Sequence, residues 1–123
     1  MLNLPVGARI FVAREPADMR KAFDGLSGLV INAMDEDPRS GHCFVFFNRR
    51  SDRVKILFWE RNGYWLHYKR LEKGRFSIFD QASDSEGRFQ LDAADLALIL
   101  EGIDLREASR GERFQLSKEV ENA

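Results

Sequence analysis

The sequence predicts a single α+β domain: an antiparallel sheet of four to five strands, one main helix packed on one face, and a shorter C-terminal helix. Three observations carry that expectation. Apolar runs of strand length recur at 9–13, 43–47, 54–60 and 64–70. Apolar positions between Met19 and Met34 recur at helical spacing, and the apolar octet 93–100 lies between Asp92 and Gly102, a capping residue ahead and a glycine behind.

The first strand, 9–13 (RIFVA), follows Pro5 and Gly7 and stops before Pro16, which cannot extend a ladder. Asp18 then stands at an N-cap position, and Met19, Phe23, Leu26, Val30, Ile31 and Met34 form the apolar stripe of the main helix, 18–34. Asp24 stands one turn from Arg20, a spacing suited to an ion pair. Gly25 and Gly28 cost about 1 kcal/mol each relative to alanine, which points to close packing on the sheet. The polar stretch 35–42, with Pro38 and Gly41, is a surface loop.

The run 43–47 is a second strand, 48–53 (NRRSDR) a turn, and 54–60 a third strand. Asn62-Gly63 signals a hairpin into 64–70. Pairing Glu60 with Tyr64 puts Val54, Ile56, Phe58, Leu66 and Tyr68 on one face. Lys55, Leu57, Trp59, Trp65, His67 and Lys69 then share the other, with Trp59 opposite Trp65. A two-residue Asn62-Gly63 turn would leave both faces mixed, so the first register is expected. Leu71–Arg75 is a turn, 76–79 a short closing strand, and 81–88 (QASDSEGR) a polar loop. From Arg106 the chain is charged and lacks periodicity, so 1–105 is expected as the domain and 106–123 as a fraying tail.

Length and composition set bounds on function. A chain of 123 residues with 44% hydrophobic and 32% charged residues holds one core and is short for an enzyme with its own cofactor domain. Cys43 is the single cysteine, so no internal disulfide forms, and neither a CxxC pair nor a Cys/His cluster offers a metal site. No metal or other cofactor is expected. No apolar run approaches bilayer length and the N-terminus lacks signal-peptide character, so a cytoplasmic protein without membrane contact is expected.

The formal net charge of −1 conceals an asymmetry. Residues 49–75 hold nine Lys and Arg against three acids, while 80–123 hold five against eleven. The candidate nucleic-acid contacts are Arg49, Arg50, Arg53, Lys55, Lys69, Arg70, Lys73 and Arg75, because guanidinium matches phosphate bidentately. The same charges suit a protein partner or plain solvation of turns. Trp59, Trp65 and His67 form the candidate partner face. The tryptophans could also stack on bases or sit in the core.

Catalysis has little support in the residues. Asp18, Asp24, Glu60 and Asp80 lack diagnostic spacing for a magnesium site, His42 and His67 form no known metal pattern, and Cys43 lies inside an apolar run. A non-enzymatic protein is expected.

Four segments, DMRKAFDGL at 18–26, FVFFNRRSDRVKILFWE at 44–60, GYWLHYKRLEKGRF at 63–76 and LEGID at 100–104, resemble one family in collinear order. It is the small accessory protein, often called TnpB or the second open reading frame product, of bacterial transposable elements of the insertion sequence 66 type. The resemblance spans roughly residues 2–106 and implies an accessory role in transposition beside a separate large transposase; the basic residues then point to DNA at the element ends as a partner, the alternative being a module that binds the transposase or itself through the Trp59 and Trp65 face without direct DNA contact. Self-association is a further option. The family supplies no agreed catalytic residues to carry over. Ala22 stands where relatives often have glycine, Phe79-Asp80 replaces a frequent Trp-Pro, and the tail after Arg106 is mixed in charge where relatives are often basic.

Overall fold

Strand β1 (Ile10–Ala13) leads through helix α1 (Phe23–Asn32) to β2 (Cys43–Phe47), followed by β3 (Arg53–Glu60), β4 (Gly63–Arg70), β5 (Arg88–Leu91) and helix α2 (Ala93–Leu100). These elements come from a computed structural model that describes residues 4–78 and 87–103. The tail expected from Arg106 and the end of the strand expected at 76–79 lie outside the described residues.

The sheet order is β4-β3-β2-β1-β5. The sheet is mixed, not purely antiparallel: β1 and β2 run parallel, Ile10 against Cys43, and the remaining pairs are antiparallel. The long 14–42 connection containing α1 is what allows a parallel neighbour, which a tight turn cannot. β2 lies at the centre and all five of its residues are buried. Its continuous apolar run fits a strand covered on both faces.

Two apolar layers cover those faces. Phe11, Phe44, Phe46 and Leu57 pack with Leu26, Val30 and Met34 of the α1 region. Ile10, Val12, Val45, Val54 and Ile56 pack with Leu96 and Ile99 of α2, so α2 closes the opposite face. Its ends match the sequence signals. Asp92 accepts a hydrogen bond from the Asp95 amide at 2.7 Å. At the other end, Gly102 (φ 82°) donates to Ile99 O at 2.9 Å and Ile103 to Leu98 O at 3.0 Å, a Schellman closure.

The main helix is shorter than expected and starts at Phe23, not after Asp18. The carbonyls of Met19 and Lys21, which a longer helix would offer to its own amides, accept hydrogen bonds from Lys55 Nζ at 2.7 Å each. Asp18 accepts from the Arg20 amide and guanidinium, so Arg20 pairs with Asp18 and not with Asp24. Phe23 and Ile31 stay exposed. Gly28 faces open space and Gly25 meets only the Lys21 side chain, so neither marks a close approach to the sheet.

The hairpin register also differs. Glu60 pairs with Gly63, Phe58 with Trp65 and Trp59 with Tyr64, around a two-residue turn of Arg61 and Asn62 in which Arg61 takes φ 57°. Trp59 and Trp65 therefore lie on opposite faces. The reason is that Val54 to Phe58 are all buried, so β3 has no solvent face whose polarity could select one register. Residues 76–78 form no strand, and Phe76 instead packs edge-on against Phe47 at 5.6 Å. β5 arises from the end of the stretch expected as a loop, where Phe89 and Leu91 alternate with Arg88 and Gln90.

Candidate nucleic-acid interface

The turn between β2 and β3 is organised by Asn48. Its side-chain oxygen accepts from the amides of Asp52 (3.0 Å) and Arg53 (2.9 Å), and its amide nitrogen donates to Asp52 Oδ1 at 2.6 Å. Ser51, at φ 57°, donates back to Asn48 O at 3.0 Å. This asparagine-centred turn leaves Arg49 and Arg50 at its tip, exposed and without a hydrogen-bond or ion-pair partner among the described residues. The Asn48 hydrogen bond, followed by the charges of Arg50 and Arg53, holds the Asp52 carboxyl below its ordinary range.

A second basic turn is tied to the first through the backbone. Leu71 donates to Asp52 O at 2.8 Å and Phe76 donates to Ser51 O at 2.6 Å. Between these ties the chain reverses at Gly74 (φ 83°), and Lys73 and Arg75 project as exposed residues. Phe76 is buried and anchors the turn. The result is one end of the sheet carrying Arg49, Arg50, Arg53, Arg70, Lys73 and Arg75, offset by Asp52 and Glu72.

Two of these cations are partly engaged. Arg53 Nη1 donates to Tyr68 Oη at 3.0 Å, and Arg70 holds Glu72 at 2.8 Å. Both partners of the Arg70–Glu72 pair are exposed, and such pairs are weak, so phosphate can compete for the guanidinium. Arg14, which sequence reasoning missed, joins this end. It follows β1, whose parallel pairing with β2 brings it beside Arg49 and Ser51 at a shallow cleft of about 210 Å³, and its guanidinium lies 5.9 Å from the Phe89 ring.

Two expected contacts do not join the cluster. Lys55 is only 6% exposed, because its ammonium is spent on the carbonyls of Met19 and Lys21 and on the Tyr68 ring 4.7 Å away. It is a structural clamp. Lys69 faces α2 and donates to Leu100 O at 2.7 Å, near the negative end of that helix.

The expected partner face divides in the same way. Trp59 lies on the α1 side, edge-on to Tyr64 at 5.0 Å and under the Arg39 guanidinium at 4.8 Å. Trp65 lies on the α2 side, 54% exposed, stacked on His67 at 6.4 Å, which in turn stacks on Phe58 at 5.7 Å. Beside this row an apolar cleft of about 270 Å³ opens between β3, β4 and α2.

Among the described residues no three His, Cys, Asp or Glu side chains are grouped to hold a metal ion. Asp18 is held by Arg20, which keeps its carboxyl down at about 2. His42 Nδ1 accepts the Arg9 amide at 2.9 Å. Cys43 is fully buried and burial pushes its thiol up to about 12, so it behaves as a core residue. No helix among the described residues is long and apolar enough to cross a membrane.

Comparison with known proteins gives a consistent picture. The model of the family described as IS66 Orf2 like protein matches residues 8–110. The chain is 36% identical over 110 residues to the uncharacterized protein y4jC of Sinorhizobium fredii, covering 89% of this chain and 92% of that protein. It is 33% identical over 105 residues to the uncharacterized protein y4hO of the same organism, covering 84% and 89% respectively. No solved structure matches.

Proposed function

From the premise that the chain belongs to the IS66 Orf2-like family, and is therefore an insertion-sequence accessory protein, we propose that it binds DNA through its basic end. One observation carries this reading: two backbone hydrogen bonds, Leu71 to Asp52 and Phe76 to Ser51, tie two separate arginine-bearing turns into one surface. Neither turn alone offers more than three cations. Together they present six, of which Arg49, Arg50, Lys73 and Arg75 make no hydrogen bond or close ion pair among the described residues, Arg50 interacting with Asp52 through its charge alone.

The chemistry favours the phosphate backbone over base edges. The cations stand on short turns at the end of a sheet, and no described helix carries them into a groove. Such contacts supply affinity and register without reading sequence. In this reading the strand-transfer chemistry belongs to a separate transposase, and this chain supplies DNA contact at the element ends. Duplex binding titrated against salt tests it: binding must weaken as salt rises, and the Arg49→Ala/Arg50→Ala variant must show a shallower dependence. Salt-insensitive binding, or none at low salt, would sink the reading.

A further inference from the structure

Arg53 and Arg70 are register partners at the open end of the β3–β4 hairpin. Directly opposed residues of an antiparallel pair share a face with their Cβ atoms about 5 Å apart, and like charges so placed destabilise the sheet. Two guanidiniums are nonetheless held there. Nη1 of Arg53 donates to Tyr68 Oη at 3.0 Å, and Tyr68, two residues before Arg70 on β4, lies on the same face. The Tyr68 ring is steadied by the Lys55 ammonium at 4.7 Å, yet the residue stays 49% exposed.

These bonds orient the two arginines without using them up. Arg70 places Nε and Nη2 on a single oxygen of Glu72, Oε1, at 3.0 and 2.8 Å. That contact takes the Nε side of the guanidinium and leaves Nη1 and the outer N–H of Nη2 unspent among the described residues. Arg53 likewise keeps donors beyond the one given to Tyr68, whose hydroxyl accepts that bond and retains its own O–H to donate. Charge names the ligand class. Asp52 acts on both arginines and Glu72 on Arg70, which makes the like-charged pair tolerable in the free protein. A phosphate set between the forks would offset the remaining repulsion and could take a donor from each of the three side chains. Arg49 and Arg50 differ, since no hydrogen bond fixes them at the tip of their turn.

We propose that Arg53, Tyr68 and Arg70 form an oriented seat for one phosphate of the DNA backbone, a seat that depends on the DNA reading of the basic end and deepens it. The seat fixes the register of the backbone on the protein, while the arginines at the tip contribute charge without direction. Tyr68 is then a DNA contact that no count of cations discloses.

Fluorescence anisotropy of a labelled duplex, read on variants of the full chain that preserve its charge, separates the seat from the charge around it. Arg53→Lys and Arg70→Lys keep the cation but lose the fork, and Tyr68→Phe removes only a hydroxyl. Each should weaken binding roughly tenfold with the salt slope unchanged. The double change Arg49→Lys/Arg50→Lys should cost less than about threefold, because unfixed charges are interchangeable. Seat variants that cost no more than this tip variant would overturn the seat and leave a salt-dependent DNA surface standing. Wild-type protein that binds no duplex at low salt would instead sink the DNA reading, and the seat with it. Tyr68→Phe keeps the ring beside Lys55, so it decides the matter even if an arginine variant misfolds.

Discussion

Lys55 and Tyr68 face each other across β3 and β4, with the ammonium 4.7 Å from the ring centroid while it donates to Met19 O and Lys21 O. Replacing Lys55 strands two carbonyls in a partly buried site. Lys55→Met should therefore cost about 2–4 kcal/mol in urea unfolding. The salt dependence of DNA binding should be unchanged, because this cation never reaches the surface.

Asn48 makes three side-chain hydrogen bonds that shape the arginine turn. Asn48→Ala should lower stability by about 1–2 kcal/mol. It should also weaken DNA binding without removing a single positive charge. Comparing chemical denaturation with binding affinity for this variant separates the shape of the turn from its charge.

Gly87 stands at φ 75°, and a Cβ there would come within 1.9 Å of Ala33 O. Gly87→Ala therefore combines backbone strain with a backbone clash, and a loss of about 2–4 kcal/mol is expected by thermal or urea unfolding. A near-neutral result would mean that the junction of β5 with the end of α1 is not as described.

The Asp18 carboxyl has its folded pKa lowered to about 2, first by the Arg20 side-chain hydrogen bond. A depressed carboxyl contributes stability above its unfolded pKa of about 3.9, and that contribution is lost as pH falls through the folded value. Stability of the wild type should thus fall more steeply than that of Asp18→Asn between about pH 4 and pH 2. Parallel curves for the two proteins would count against the pair.

The tryptophans give an optical test of the hairpin register. Trp65 is exposed, whereas Trp59 lies under Arg39 and against Tyr64. Acrylamide should quench the fluorescence of Trp59→Phe, which retains Trp65, more strongly than that of Trp65→Phe. Equal quenching would favour a register in which the two share a face.

These residues also show what the chain discloses before folding. Asp92 and Gly102 delimit α2 because capping is local chemistry, and the arginine turns are visible because turns follow from Asn, Gly and charge. The register of β3 with β4 is not legible, since a strand buried on both faces has no polar stripe. The fate of Lys55 is equally hidden: its burial depends on carbonyls more than thirty residues away in sequence. Arg14 reaches the basic end only through the parallel pairing of β1 with β2, and β5 is masked by the polar stretch before it. Local signals survived, and tertiary pairing decided the rest.

The account rests most directly on the basic end, and fluorescence anisotropy of a labelled duplex across a salt series tests it. If all six cations meet phosphates, log affinity should fall against log salt with a slope of roughly −5 for the wild type. Arg49→Ala/Arg50→Ala should lower its magnitude by about two. A slope near zero, or one that the double variant leaves unchanged, would contradict DNA binding by this surface.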